Sequence, residues 1–112
     1  ESEFSPEVKA TVDGRAMGTC EVCGEGPIAE YHHRRPRGSG GSKRGDTGGA
    51  ANCLGLCRNC HRMIESNRTV ARVMGWLVPQ GWAPADAEVI YRGEVKWLHD
   101  DGEVTGDPTA FV

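Results

Sequence analysis

Two cysteine pairs, Cys20-Glu21-Val22-Cys23 and Cys57-Arg58-Asn59-Cys60, constrain this chain more than any other feature. A two-residue spacer lets both thiolates of a pair turn onto one ion at about 2.3 Å, and four thiolates close a tetrahedron. The expected ion is therefore a structural Zn²⁺ held by Cys20, Cys23, Cys57 and Cys60. Residues 24–56 lie between the pairs, a longer separation than the roughly 15–20 residues of a simple zinc ribbon. The metal must pin a substantial hairpin or loop at both ends. A staple is needed, because 112 residues bury only about two-thirds of the surface their unfolded chain exposes.

The same cysteines admit a competing reading. Cys57-Arg58-Asn59-Cys60-His61 matches the attachment run of a c-type haem, with Met17, Met63 or Met74 available as an axial ligand. That reading leaves the Cys20–Cys23 pair without a purpose, so it gives way to zinc. The fifth cysteine, Cys53, sits among strand-type residues and is expected to be a small buried hydrophobe. No apolar run approaches the roughly 18 residues of a membrane span, and no charged start with an apolar stretch marks export. An intracellular protein with no membrane partner is expected, in keeping with paired thiols that hold metal instead of forming disulfides.

Charge is unevenly distributed. The whole chain carries −3, which alone argues weakly against a nucleic-acid partner. Yet between Tyr31 and Arg68, eight cations (Arg34, Arg35, Arg37, Lys43, Arg44, Arg58, Arg62, Arg68) face only Asp46 and Glu65, leaving the segment at +6 and the remainder at −9. A basic centre in an acidic frame points to an anionic partner held at one place.

Local signals outline the elements. Ser5-Pro6-Glu7 combines an N-cap residue, proline at the first helical position and an acid in the first turn, predicting a helix from Pro6 towards Met17. Ile28 to Arg35 and Asn52 to Leu56 read as short strands. Between them Gly38 to Gly49 has six glycines in twelve residues and no apolar side chain but Lys43 and Arg44, so it is a loop, either a connector or an approach to phosphate. A helix follows from Asn59 or Cys60 through His61 to Asn67, and a shorter one from Thr69 to Met74 that stops at Gly75. The tail, Glu88–Arg92 and Val95–His99 around Gly93-Glu94, reads as a β-hairpin or small meander, with Trp76, Trp82 and Trp97 as its core or clamp residues.

Within the pinned segment, Tyr31-His32-His33-Arg34-Arg35 and Asn52 stand between the two cysteine pairs, and His61 directly follows the last thiol. In YHHRRPRG and in NCLGLCRNCH, which has the pattern Asn-x-x-x-x-Cys-x-x-Cys-His, the chain resembles the HNH endonucleases over about Gly18 to Asn67. HHRRPRGSGGS and GWLVPQG are similar, more loosely, to small HNH proteins of bacterial viruses and actinobacteria, which also carry a C-terminal hairpin. The family usually has leucine where this chain has Cys53.

The resemblance implies an α+β fold: a small ββα-metal core stapled by the four-cysteine zinc, with an N-terminal helix and a C-terminal β-hairpin. One domain is expected over 1–112, with the helix in 1–17, the core in 18–67, and a short helix and hairpin in 68–112. The implied activity is metal-dependent hydrolysis of DNA phosphodiester bonds, in a bacterium or a virus-infected bacterial cell, alone or within a larger viral or restriction assembly. By this likeness His33 is the general base, and His32 and His61 bind one catalytic divalent ion, Mg²⁺, Mn²⁺, Ni²⁺ or Zn²⁺. Asn52 either joins the metal shell or ties the loop that holds His33. Neighbours on a regular strand point to opposite faces, so His32 and His33 can serve one site only if the strand ends or bends there, which Pro36 and Gly38 favour. Arg34, Arg35, Arg37, Lys43 and Arg44 are the expected DNA contacts. The alternative is a zinc-ribbon module that binds DNA or a protein without cutting, for which the His32-His33 pair and His61 have no use.

Overall fold

The computed structural model describes residues 4–36 and 47–106. Arg37, Lys43, Arg44 and most of the glycine-rich loop lie outside the described residues.

Helix α1, Pro6–Ala16, begins as its sequence dictates: Ser5 Oγ accepts the Val8 amide at 3.1 Å, with Pro6 in the first turn. It ends where Met17 and Gly18 take positive φ (57° and 75°) and the Gly18 amide returns to the Asp13 carbonyl at 3.0 Å, the left-handed exit that closes many helices. Strand β1, Glu30–His33, pairs antiparallel with β2, Cys53–Leu56, in the register Glu30 to Leu56 and His33 to Cys53. A short 3-10 turn, Ala50–Asn52, feeds β2. Helices α2, Arg58–Ser66, and α3, Arg68–Val73, follow directly. A second antiparallel sheet of β3 (Val89–Tyr91), β4 (Glu94–Leu98) and β5 (Val104–Thr105) completes the described chain.

All four residues of β2 are buried because both of its faces are covered. Alternation sends Leu54 and Leu56 into a core with Ile64, Ala71, Trp76, Leu77, Val89, Tyr91 and Leu98. Cys53 faces the other way, into a smaller cluster with Phe4 and Val12. On that side a side chain at Gly55 would meet Ile28 Cδ1 at 2.6 Å, so glycine lets Ile28 and α1 close onto the strand.

Polar groups bind the layers together. Glu21, between the first two zinc-type cysteines, is fully buried. Its carboxylate accepts from Arg15 Nε at 2.6 Å, the Gly55 amide at 2.9 Å and the Tyr91 hydroxyl at 2.7 Å. One carboxylate thus joins α1, the first cysteine turn, β2 and β3. Arg92 adds a second tie, donating from Nη2 to the carbonyls of Ala16 (2.8 Å) and Thr19 (2.9 Å).

The chain is a small mixed α+β domain with a four-cysteine cluster. Element bounds differ from expectation at the edges: β1 stops at His33, two residues short of the expected Arg35, and Asn52 ends a 3-10 turn instead of starting β2. The expected role of the tryptophans needs correction. Trp76 is buried and donates Nε1–H to the Ile90 carbonyl at 2.8 Å, and Trp97 is half-buried, but Trp82 is 57% exposed and belongs to no core. Among the described residues no helix is long and apolar enough to cross a membrane.

Candidate functional site

The four cysteines meet where the exit from α1 approaches the start of α2. Cys20 and Cys23 sit in a turn closed by Cys20 N–H to the Gly26 carbonyl (2.7 Å) and Gly24 N–H to the Cys20 carbonyl (2.9 Å). Cys57 is the N-cap of α2, and Cys60 lies in its first turn. The four sulfurs lie within 4.8 Å of one another, and Cys23 Sγ is 3.9 Å from Cys57 Sγ. Bonds of about 2.3 Å from one zinc give tetrahedral edges of about 3.8 Å. The donor set therefore fits a structural zinc in spacing, and its chemistry asks for one. Backbone amides of Gly26 and Glu25 bring the Cys23 thiol down to about 7 despite some burial, whereas burial and the neighbouring thiols push Cys60 well up. Four crowded sulfurs cannot all ionise without a cation between them, and the α2 N-terminus adds favourable positive potential. Cys53 stands apart: it is buried, with burial pushing its thiol to about 12, and is the inert residue its setting predicts.

A second group of metal-capable side chains forms between β1 and α2. Ligand atoms of His32, His61 and Glu65 lie within 4.8 Å of one another. His32 is 6% exposed, and its Nε2 lies 2.9 Å from the Trp76 carbonyl. A carbonyl can only accept, so Nε2 carries the proton and Nδ1 keeps a lone pair. Burial lowers the His32 pKa to about 4, so the ring is neutral at pH 7. His61 is fixed in the same way from the other side, with Nδ1 against Glu30 Oε1 and Nε2 3.8 Å from Glu65 Oε2. In the neutral ring two acceptors face each other across that gap, which two metal bonds of about 2.1 Å can span.

His33 lines the same cavity at the end of β1. The chain leaves β1 after His33 and turns through Arg34 and Arg35 to Pro36, and His33, His32, His61 and Glu65 all line one cavity of about 350 Å³. The His33 ring stacks on Phe4, with centroids 4.0 Å apart and planes 20° from parallel.

Asn52 is not part of the ligand group. It is fully buried, its Oδ1 accepts the Arg35 amide at 2.7 Å, and its Nδ2 donates to the carbonyls of Arg35 (3.1 Å) and Thr47 (2.8 Å). With both ends of the amide held by backbone, the metal-ligand alternative gives way to the tie across the loop that follows His33.

Arg34 and Arg35 correct the expectation of DNA contacts more sharply. Both are buried, at 0% and 1% exposure. Arg34 donates to the carbonyls of Gly75 (2.9 Å), Ala51 (2.9 Å), Pro84 (3.1 Å) and Ala87 (2.9 Å). Burial, with Arg15 nearby, lowers its pKa to about 9. Arg35 donates to the Trp82 carbonyl (2.8 Å) and Thr47 Oγ1 (3.1 Å). These guanidiniums hold loops together and lie beneath the surface. Among the described residues, the cation lining the histidine cavity is Arg68, exposed at the start of α3 and paired with Glu65 Oε1 at 3.1 Å.

Two residues escaped the sequence reading. Glu65 follows His61 by four residues and so shares its helical face, a spacing visible in HRMIE. Glu30 precedes His32 by two and shares its strand face, but only the packing of α2 on β1 reveals its contact with His61.

Over 81 aligned residues, 64% of this chain, the sequence is 33% identical to EcoKMcrA, a type IV methyl-directed restriction enzyme of Escherichia coli K12. The match takes in 27% of that enzyme, so the chain spans about a quarter of its relative's length. No family model and no solved structure matches the chain.

Proposed function

We propose that this chain is a metal-dependent DNA endonuclease of the HNH type, with β1, β2 and α2 as a ββα-metal core. The observation that carries the reading is the convergence of His32, His61 and Glu65 on one cavity that His33 also lines. Likeness to a restriction enzyme supports the same conclusion and supplies the substrate class, DNA.

In this reading His32 through Nδ1, His61 through Nε2 and Glu65 through a carboxylate oxygen would hold one divalent ion. When bound, that ion polarises the scissile phosphate and stabilises the leaving oxygen. The protein's residues do the rest. His33 accepts a proton from the attacking water as its oxygen bonds to phosphorus, and the bond to the leaving sugar oxygen breaks. Phe4 holds the His33 ring by stacking, and Asn52 fixes the backbone just beyond it. Trp76 and Glu30 keep each ligating histidine in the tautomer that presents a lone pair, the usual service of groups behind a metal-bound imidazole. Arg68 meets the phosphate backbone at the cavity edge. The four-cysteine zinc takes no part in the reaction; it sets α2, and with it His61 and Glu65, against β1.

Supercoiled plasmid incubated with Mg²⁺, Mn²⁺, Ni²⁺ or Zn²⁺ tests the proposal. Nicked or linear product that appears with at least one of these ions and vanishes with chelator is expected. Absence of cleavage with every ion, alongside retained DNA binding, would favour a zinc module that binds without cutting.

A further inference from the structure

The histidine cavity does not end at the histidines. It adjoins a second hollow of about 300 Å³ through shared walls at Pro36, Arg68 and Leu77. That hollow in turn shares Arg72, Leu77, Val78 and Pro79 as walls with a third of about 440 Å³. Leu77 lines all three, and the shared walls place them in series beside α3; together they are called the groove. Its far end has Trp82 and Trp97 among its walls, together with Asp86 and Glu88.

The chemistry changes along the groove in a way that matches a nucleotide strand. Arg68 and Arg72 are one helical turn apart on α3, both exposed, with Cβ atoms about 6 Å apart by helix geometry. That spacing suits a backbone of successive phosphates. At the far end the two carboxylates repel phosphate, while an exposed indole offers a stacking face of the kind unpaired bases use. A tryptophan 57% exposed beside a cavity is otherwise a liability on a small domain. Asp86 and Glu88 are acceptors only, so they favour a base that carries an exocyclic amine, as cytosine, adenine and guanine do and thymine does not.

We propose that the pocket at Trp82 binds an unpaired, amine-bearing base, cytosine, adenine or guanine, of a DNA strand whose backbone follows Arg68 and Arg72 to the histidine site. This rests on the nuclease reading for the identity of the strand, and it goes beyond it in assigning a separate base-binding site. Duplex DNA must open locally, or be unpaired already, to fill it.

Tryptophan emission of the full zinc-loaded chain, with no other divalent ion added, reads the binding directly. Oligodeoxycytidylate of about a dozen residues should quench emission, and Trp82→Ala should bind it about tenfold or more weakly. The variant removes an exposed side chain, so it should fold, and anisotropy of a labelled oligonucleotide reads its affinity where its own emission change is lost. Arg72→Gln should lower the log–log salt slope by about 0.7. Oligothymidylate should bind several-fold more weakly than oligodeoxycytidylate, and a fully paired duplex should quench little. Equal affinity of Trp82→Ala and parent for oligodeoxycytidylate overturns the proposal. So does equal affinity for the two oligonucleotides, or quenching by a trimethyl-lysine peptide with no response to DNA, which would mark the pocket as a cation cage. If plasmid is cut but Trp82 is silent, the base site fails and the nuclease stands. Trp82-dependent binding without cleavage by any ion gives the reverse.

Discussion

Glu30 on β1 and His61 on α2 meet through Glu30 Oε1 and His61 Nδ1, which turns the other ring nitrogen of His61 towards Glu65. The contact ties the orientation of a proposed metal ligand to a residue on the opposite element. Glu30→Ala should therefore weaken binding of the catalytic ion by about 10–100-fold while leaving the zinc in place. Glu30→Gln, which keeps an acceptor oxygen, should lose less. Calorimetric titration of zinc-loaded variants with Mn²⁺ measures both, and equal affinity for Glu30→Ala and parent would show that the contact does not support the ligand.

His33 and the ligand group should separate by metal rescue. His33→Ala removes a proton acceptor and no ligand, so ion binding should persist while plasmid nicking falls by roughly 10²–10⁴. Glu65→Ala and His61→Ala should lose the ion, with partial recovery of cleavage at high Mn²⁺ or Ni²⁺ by mass action. Recovery of His33→Ala at high metal would place the base elsewhere. Asn52→Ala, whose amide holds the backbone beyond His33, should resemble His33→Ala in keeping its ion.

Arg34→Ala should act on stability instead of on salt-dependent DNA binding. It strips several buried carbonyls of their donor, and loss of even a few such bonds should cost about 3 kcal/mol or more. Urea unfolding beside a salt titration of duplex affinity checks this. A stable variant with a shallower salt slope would restore Arg34 to the DNA surface. Arg68→Gln is expected to behave in that second way.

Zinc should be stoichiometric and inseparable from the fold. Native mass spectrometry is expected to find one tightly held Zn²⁺ per chain, bound with on the order of 10 kcal/mol by analogy with zinc-finger peptides. Cys57→Ser should unfold the α2 start and abolish ion binding at His61 with it. A folded, metal-free parent chain would contradict the staple.

What was legible in the sequence follows from what is local. The Ser5-Pro6 cap, the cysteine pairs, the helical stretch after Cys57 and the short strands all declare themselves through neighbours in the chain, and each stands within a few residues of its expected bounds. The histidines could be collected because their two segments resemble those of the HNH endonucleases, and nothing local joins them. The arginines misled for a physical reason: charge counts surface and interior alike, and nothing in HHRRP distinguishes a guanidinium aimed at solvent from one surrounded by carbonyls contributed by residues 51 and 75–87. Glu30 was hidden for a related reason, since its partner lies on another element. Trp82 was misread because composition makes tryptophan core material, and only the loop's path leaves this one outside.

The Trp76 carbonyl that orients His32, and the Gly75, Pro84 and Ala87 carbonyls that hold Arg34, all come from beyond α3. The proposed catalytic unit is thus not portable as a minimal ββα segment. Grafting residues 18–67 onto another scaffold, or trimming the chain after α2, would carry the ligands away without the backbone that aims them. Any rearrangement of this gene that preserves the arrangement of His32 and Arg34 has to move the C-terminal stretch as part of the cassette.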